Sequence, residues 1–290
     1  MREDCMIAAV QMASAAGETQ RNLDKILDIS VQAAAAGAGF IVFPEMALPG
    51  YTHEGIDELA LTMQDLAIKQ LAGAAAELQV TLLVGWAEQS ETGGKPYISQ
   101  LIALPDGTTQ TYRKVHLGRF ERKWFEAGSN FPVFSNGGAG FAAGICWDWH
   151  FPEMAAIYSL KGAEILFAPH ASLSISGNRL EIWQRYMQAR AYDNSVYLVA
   201  CNQCGEDQQN RSYSGGAMVW GPKGEILAMS QEQTDSILYA HLPAEPINQL
   251  RKQEKKSMRD SFFLANRKKE LYHELLELDF DPDKANIDTK

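Results

Sequence analysis

Cysteine is scarce. Four residues in 290, two of them close together at Cys201 and Cys204, cannot make the disulfide framework of a secreted scaffold. Positive charge is also short, with 26 Lys and Arg against 36 Asp and Glu, a formal net charge of −10. That balance excludes a nucleic-acid surface and gives no attraction to an anionic membrane. No apolar run approaches the length that spans a bilayer. The charged residues 1–4 lead into an apolar stretch, 7–12, too short for a signal-peptide core. A reducing, cytoplasmic setting is therefore expected. Repeats, Gly/Ser linkers and low-complexity tracts are missing from residues 1–242, so no domain boundary is expected there.

What is present is ordinary globular material, 46% apolar and 21% charged, enough for one large core. Strand patterns at 7–13, 40–43 and 80–86 alternate with helical patterns at 19–36 and 57–78. That order is the signature of an α/β layer architecture. Residues 97–104 and 108–114 flank the turn Pro105-Asp106-Gly107 and read as a hairpin. Further strands are expected at 131–134, 139–146, 164–169 and 196–201, with helices at 153–160 and 180–193. Antiparallel strands follow at 212–220, 224–230 and 236–241, and a charge-rich helical region from Glu245 onward. Two sheets packed face to face, with helices outside them, would accommodate this set.

The stretch Gly140-Phe-Ala-Ala-Gly-Ile-Cys146-Trp-Asp-Trp-His-Phe-Pro-Glu153 changes character at the cysteine. A small, apolar run precedes it, and Pro152-Glu153 then reads as a helix start. A thiol at such a junction is held rigidly yet open to substrate, as a nucleophile must be. Taken alone, a cysteine is more often mere core packing. Glu45 directly follows the apolar run Phe40-Ile-Val-Phe-Pro44. Poor solvation there raises a carboxyl pKa toward that of a general base, although a surface turn is the commoner fate. Lys114 closes Thr109-Gln-Thr-Tyr-Arg-Lys114, where an ammonium can depress a thiol pKa and hold an oxyanion, or simply sit solvated.

Three ordered motifs carry a resemblance. Phe43-Pro44-Glu45, Tyr112-Arg113-Lys114-Val115-His116-Leu117, and Gly144-Ile145-Cys146-Trp147-Asp148 with Phe151-Pro152-Glu153 resemble the nitrilase superfamily of carbon–nitrogen hydrolases. The likeness runs from Ile7 to about Tyr272. It implies a four-layer α-β-β-α sandwich, with a hydrolase domain over 1–244 and a C-terminal extension over 245–290, packed on that domain or on a partner subunit. It implies Cys146 as nucleophile, Glu45 as general base and Lys114 as oxyanion stabiliser, with Glu121 as a second glutamate supporting the lysine and the substrate amide. Glu126 is an alternative to Glu121, because Gly118 and Phe120 differ from the usual flanks. Asp148 and Glu153 match framework positions. Tyr51, Trp147 and His170 adjoin strand-end motifs and are expected to line the substrate pocket, although His170 could equally be a satisfied core histidine.

No metal or organic cofactor is implied. Cys201-Asn-Gln-Cys204 has a redox or half-zinc spacing but no companion pair, and reads as a strand end. Cys146 and His150 are spaced as helical ligands would be, but Pro152 puts them before a helix. The close of the chain, Arg259-Asp-Ser-Phe-Phe263 and Asn266-Arg-Lys-Lys-Glu-Leu-Tyr272, resembles the carbamoylputrescine amidase-like branch. It departs from that branch at Lys268-Lys269, where Arg-Pro is more usual. The expected partner is thus a small linear amide or ureido substrate that releases ammonia through a Cys thioester. A nitrilase, an amide-forming acyltransferase and a non-catalytic protein of the same fold are the alternatives. Members of this family usually pair, so a homodimer or higher homo-oligomer is expected, joined through residues 153–161 and 180–193.

Overall fold

The computed structural model describes residues 1–253 and 257–278. Parts of the expected C-terminal extension, residues 254–256 and 279–290, lie outside them. The first half of the chain lays down β1 (Cys5–Gln11), α1 (Thr19–Ala35), β2 (Phe40–Val42), α2 (Ile56–Leu59), α3 (Leu66–Leu78), β3 (Thr81–Glu88), β4 (Tyr97–Ala103) and β5 (Thr109–Arg113). The second half adds β6 (Phe134–Ser135), β7 (Gly140–Ala143), α4 (Pro152–Leu160), β8 (Ile165–His170), α5 (Arg179–Asn194) and β9 (Tyr197–Asn202). It then runs through β10 (Cys204–Glu206), β11 (Ser212–Ser214), β12 (Ala217–Trp220), β13 (Ile226–Ser230), β14 (Ser236–Leu242) and α6 (Ala244–Arg251).

Two six-stranded sheets result, in the orders β14-β1-β2-β3-β4-β5 and β13-β12-β9-β8-β7-β6. Each has three parallel strands at its centre, β1-β2-β3 and β7-β8-β9, with antiparallel partners outside. Parallel neighbours need crossovers, which α1, α3, α4 and α5 supply on the outer faces. Alternation along the strands then sorts the core into three sets. Ile7, Ala9, Phe40, Val42, Phe141, Phe167 and Val199 meet between the sheets. Ala8, Val10, Ile41 and Leu82 face α1 and α3, while Leu166, Leu198 and Met218 face α4 and α5. The order is helix, sheet, sheet, helix: the four-layer sandwich. Ala244 and Ile247 of α6 also join the intersheet set.

The structure departs from the sequence pattern in four places, the first being the strand expected at 131–134, which is reduced to Phe134–Ser135. The 57–78 helical region is broken, because the Asp65 carboxylate accepts from the Thr62 N–H and hydroxyl at 2.7 and 2.8 Å and fixes a turn ahead of α3. The 212–220 strand is split at Gly215-Gly216, both at positive φ (64° and 112°), so β11 pairs with β10 rather than with the large sheet. Beyond α6, residues 257–278 form short 3₁₀ turns instead of a continuing helix.

Candidate active site

The carboxyl ends of β2, β7, β8 and β9 converge, and chemistry gathers there as it does beyond strand ends in other α/β folds. The bridge between Met12 and Gln203 shows the two sheets meeting at this end. Glu45 lies three residues past β2, in a turn where Met46 takes φ +55°. That turn rests on β3 at Gly85, where an added Cβ would collide with the Pro44 carbonyl, so only glycine allows it. Lys114 follows β5 immediately, and Cys146 opens a 3₁₀ turn, Cys146–His150, just past β7. Cys146 itself has φ +48°, a left-handed conformation that is uncommon for a residue with a Cβ.

Glu45 and Lys114 are buried, each with 1% exposure. The Lys114 ammonium donates to Glu45 Oε1 at 2.7 Å and to Glu121 Oε1 at 2.8 Å. Glu45 Oε2 accepts from the Ala171 N–H at 3.0 Å, and its backbone carbonyl accepts from Gln203 Nε2 at 3.1 Å. The Tyr51 hydroxyl and the Gly118 N–H donate to Glu121 at 2.7 and 2.6 Å. Cys146 Sγ stands 3.8 Å from Ser172 Oγ, and Asn202 locks Ser172 by accepting from its N–H and donating to its carbonyl.

Two carboxylates share one ammonium, and they separate electrostatically. Burial drives the Glu45 pKa up to about 7, against the pull of Lys114 and with the push of Glu121. Burial acts on Glu121 too, but Lys114 and the Tyr51 and Gly118 donors outweigh it and hold that carboxyl below its ordinary range. Lys114 is desolvated, yet the charges of Glu45 and Glu121 more than compensate and raise its pKa. The resting thiol does not follow the sequence expectation. Burial and the Glu45 charge push Cys146 up to about 12, and Lys114 lowers it by less, so the free thiol keeps its proton.

Asp148 ties the nucleophile turn to the lysine segment. Its Oδ2 accepts from the Tyr112 hydroxyl and the Ile145 N–H at 2.7 and 2.8 Å. Its Oδ1 accepts from the His116 N–H and ring Nδ1 at 2.8 and 2.9 Å. A cleft of about 990 Å³ opens over Cys146, with Tyr51, Glu121, Trp147 and His170 among its lining. Trp147 is 46% exposed, a rim residue.

His170 lines the cleft as a satisfied histidine of the core. Its Nδ1–H donates to the Ala168 carbonyl at 2.8 Å and its Nε2 accepts from Trp183 at 3.2 Å, so neither ring nitrogen is left for a ligand. Burial pushes its pKa well down, which keeps the ring neutral. Glu126 is exposed and pairs through its backbone with Pro96 and Tyr97, away from Lys114; Glu121 is the glutamate that reaches the site. Cys201 packs between the sheets and Cys204 opens β10; both thiols are free, and a strand end is what the pair marks. Among the described residues no group of three or more His, Cys, Asp and Glu is placed to hold a metal. No described helix is long and apolar enough to cross a membrane. Sequence reading missed Ser172, Asn202, Gln203, Arg179 and Tyr186. Asn202 and Gln203 lie inside the Cys201–Cys204 stretch, whose cysteine spacing is the stronger signal.

Residues 6–252 match the carbon-nitrogen hydrolase family. A nitrilase of Pyrococcus abyssi is 31% identical over 241 residues, covering 81% of this chain and 88% of that protein. An (R)-stereoselective amidase of a Pseudomonas species is 28% identical over 222 residues, covering 76% and 79%. A solved mutant of the amidase from Nesterenkonia sp. AN1, 26% identical, superimposes with a TM-score of 0.78 over 94% of this chain and 97% of its own. That mutant carries the acetamide moiety of fluoroacetamide covalently added at its active-site cysteine.

Proposed function

The chain belongs to the carbon-nitrogen hydrolase family, and from that premise we propose that it cleaves a linear amide or N-carbamoyl amine through a thioester on Cys146, releasing ammonia. The observation that carries this reading is the buried Glu45–Lys114–Glu121 cluster beside the strained Cys146 turn, at the foot of a cleft. A non-catalytic protein would gain nothing from burying two carboxylates on one ammonium.

The roles follow from the electrostatics. Cys146 is protonated at rest, so its proton passes to Glu45 as the sulfur attacks the substrate carbonyl carbon. Glu45, with a pKa of about 7, is poised to take that proton at neutral pH. Charge builds on the carbonyl oxygen, where the Lys114 ammonium and the Trp147 backbone N–H would receive it. As the tetrahedral adduct collapses, the C–N bond breaks and Glu45 returns the proton to the departing nitrogen. Water then enters, Glu45 takes one of its protons, and hydroxide displaces the thioester sulfur. The carboxylic acid leaves, or from a ureido substrate the carbamic acid, which falls apart to amine and CO2, and the proton on Glu45 restores the thiol. Glu121 stays ionised and holds Lys114 at a fixed point.

The test is ammonia release across amides, N-carbamoyl amines and nitriles, with Cys146→Ala beside the unaltered chain. Ammonia from amides or ureido compounds, abolished in Cys146→Ala, supports the proposal. Ammonia from nitriles alone would replace it with the nitrilase reading. A hydroxylamine trap that captured the acyl group while water did not would point to acyl transfer.

A further inference from the structure

Arg179, the first residue of α5, lines the cleft above Cys146 and is only 6% exposed. No carboxylate among the described residues pairs with it, and its Nε has no hydrogen-bond partner. The shielded hydroxyl of Tyr186, two helical turns along, lies within reach of the Arg179 side chain and has no other polar partner among the described residues. Arg179 lies near enough for its charge to act on Cys146, His150, His170 and Tyr186 together. The Tyr186 ring stacks on His150 at 4.7 Å, and His150 meets Trp147 at 4.6 Å, so one wall runs from the rim to the guanidinium.

A guanidinium does not shed its proton, and burying one without a counter-charge costs several kcal/mol. Such a group persists where an anion arrives from outside. The rest of the lining agrees. Arg119, Lys123 and Arg211 are its other strong cations, although Arg211 is spent on Asp207 and on the Tyr51 carbonyl. Its one carboxylate among the described residues is Glu121, which is committed to Lys114, Tyr51 and Gly118. On a chain of net charge −10, this cleft is a local cationic field.

We propose that Arg179, with the Tyr186 hydroxyl, forms a subsite for a carboxylate at the far end of the substrate, so that the chain acts on acidic amides or ureido acids. The inference rests on the hydrolase reading and narrows it. A substrate with a distal ammonium, of the kind the carbamoylputrescine amidase-like resemblance implies, finds no free carboxylate on this wall. A carboxylate finds a fork of N–H donors and a phenol, and charge-assisted pairing of this kind is both strong and directional.

The experiment compares kcat/KM on matched amides: succinamate and glutaramate as anions, butyramide and valeramide as neutral counterparts, and 4-aminobutyramide as the cation. N-carbamoyl-β-alanine adds a ureido acid. The expected preference of the unaltered chain for anion over neutral is about 10- to 100-fold, the worth of a charge-assisted hydrogen-bond pair. Arg179→Met should bring that ratio close to one, Arg179→Lys should keep an intermediate ratio, and Tyr186→Phe should reduce it in part. A merely structural arginine would lower both rates together and leave the ratio unchanged, which would overturn the inference; so would equal turnover of all three charge types. If no amide is hydrolysed, the hydrolase reading fails separately. Calorimetry of glutaramate on Cys146→Ala, with and without Arg179→Met, then decides the subsite. Arg179-dependent binding supports it, and absent or Arg179-independent binding overturns it.

Discussion

Glu45 sits near its own midpoint at neutral pH, and that has two opposite consequences. For activity, only the ionised carboxylate can take the thiol proton. Turnover should therefore climb about tenfold per pH unit on the acid side and level off above the Glu45 value of about 7. A kcat/KM flat from pH 5 to pH 8 would place the base elsewhere. For stability the sign reverses. A carboxyl whose folded pKa is raised binds its proton more tightly folded than unfolded. Its contribution falls as pH rises from the unfolded value of about 4.3 and is fully lost above about 7. Glu45→Gln keeps an acceptor for the Ala171 N–H, while Lys114 retains Glu121. Its thermal midpoint should match the unaltered chain near pH 4 and exceed it at pH 8, while turnover falls about 10²–10⁴-fold. Loss of stability at pH 8 would show that the Glu45 charge is a net anchor. Both the residue and its raised pKa were legible in the sequence, since a carboxylate at the end of an apolar strand has little water. The thiol was not. Its pKa depends on how deeply the turn is buried and on the sign of the nearest charge, neither of which a motif encodes.

Two elements meet at Asp148. The 3₁₀ turn carrying Cys146 and the segment carrying Lys114 belong to different sheets, and one buried carboxylate accepts from both. Asp148→Ala would orphan the Tyr112 hydroxyl and the Ile145 N–H inside the protein, at about 1–3 kcal/mol each. The expected result is a stability loss of about 2–5 kcal/mol in urea titration together with a drop in kcat. Cys146→Ala serves as contrast, because it should abolish kcat at little cost in stability. Intact turnover in a destabilised Asp148→Ala would show that the two elements hold their places independently. Sequence order does reveal that both elements matter, through the motifs around Lys114 and Cys146. It does not reveal that Asn202 steadies Ser172 or that Gln203 grips the Glu45 carbonyl. Those contacts link residues 30 and 158 apart, and only the sandwich brings them together. Local turns are hidden for a related reason. Apolar spacing continues unbroken through Thr62–Asp65 and through Gly215-Gly216, where one carboxylate with two hydrogen bonds, or two positive φ angles, redirect the chain.

The outer surface of the folded chain bears on association. Much of the apolar content of α5 is consumed within the chain: Trp183 and Met187 lie in the outer core, Leu180 and Tyr186 pack against it, and Ile182 lines the cleft. The apolar surface left for a partner therefore lies elsewhere. Phe263 lies 5.5 Å from Tyr192, which joins the C-terminal segment to α5. Farther along, Leu271, Leu275, Leu276 and Leu278 are exposed by 58–90%, more apolar surface than a 3₁₀ segment gains by facing water. Leu160, at the end of α4, is also exposed. We propose a second copy of this chain as the cover, docked on α4, α5 and the C-terminal segment by two-fold symmetry. Because Tyr186 and Arg179 stand on α5, such an interface would steady the cleft wall as well as hide the leucines. Truncation after Leu250 should then shift sedimentation from dimer to monomer at micromolar protein and lower kcat/KM at the same time. Leu275→Glu paired with Leu276→Glu is the milder variant, expected to weaken association while leaving the Phe263–Tyr192 contact in place. A full-length chain that sediments as a monomer with full turnover would refute this arrangement.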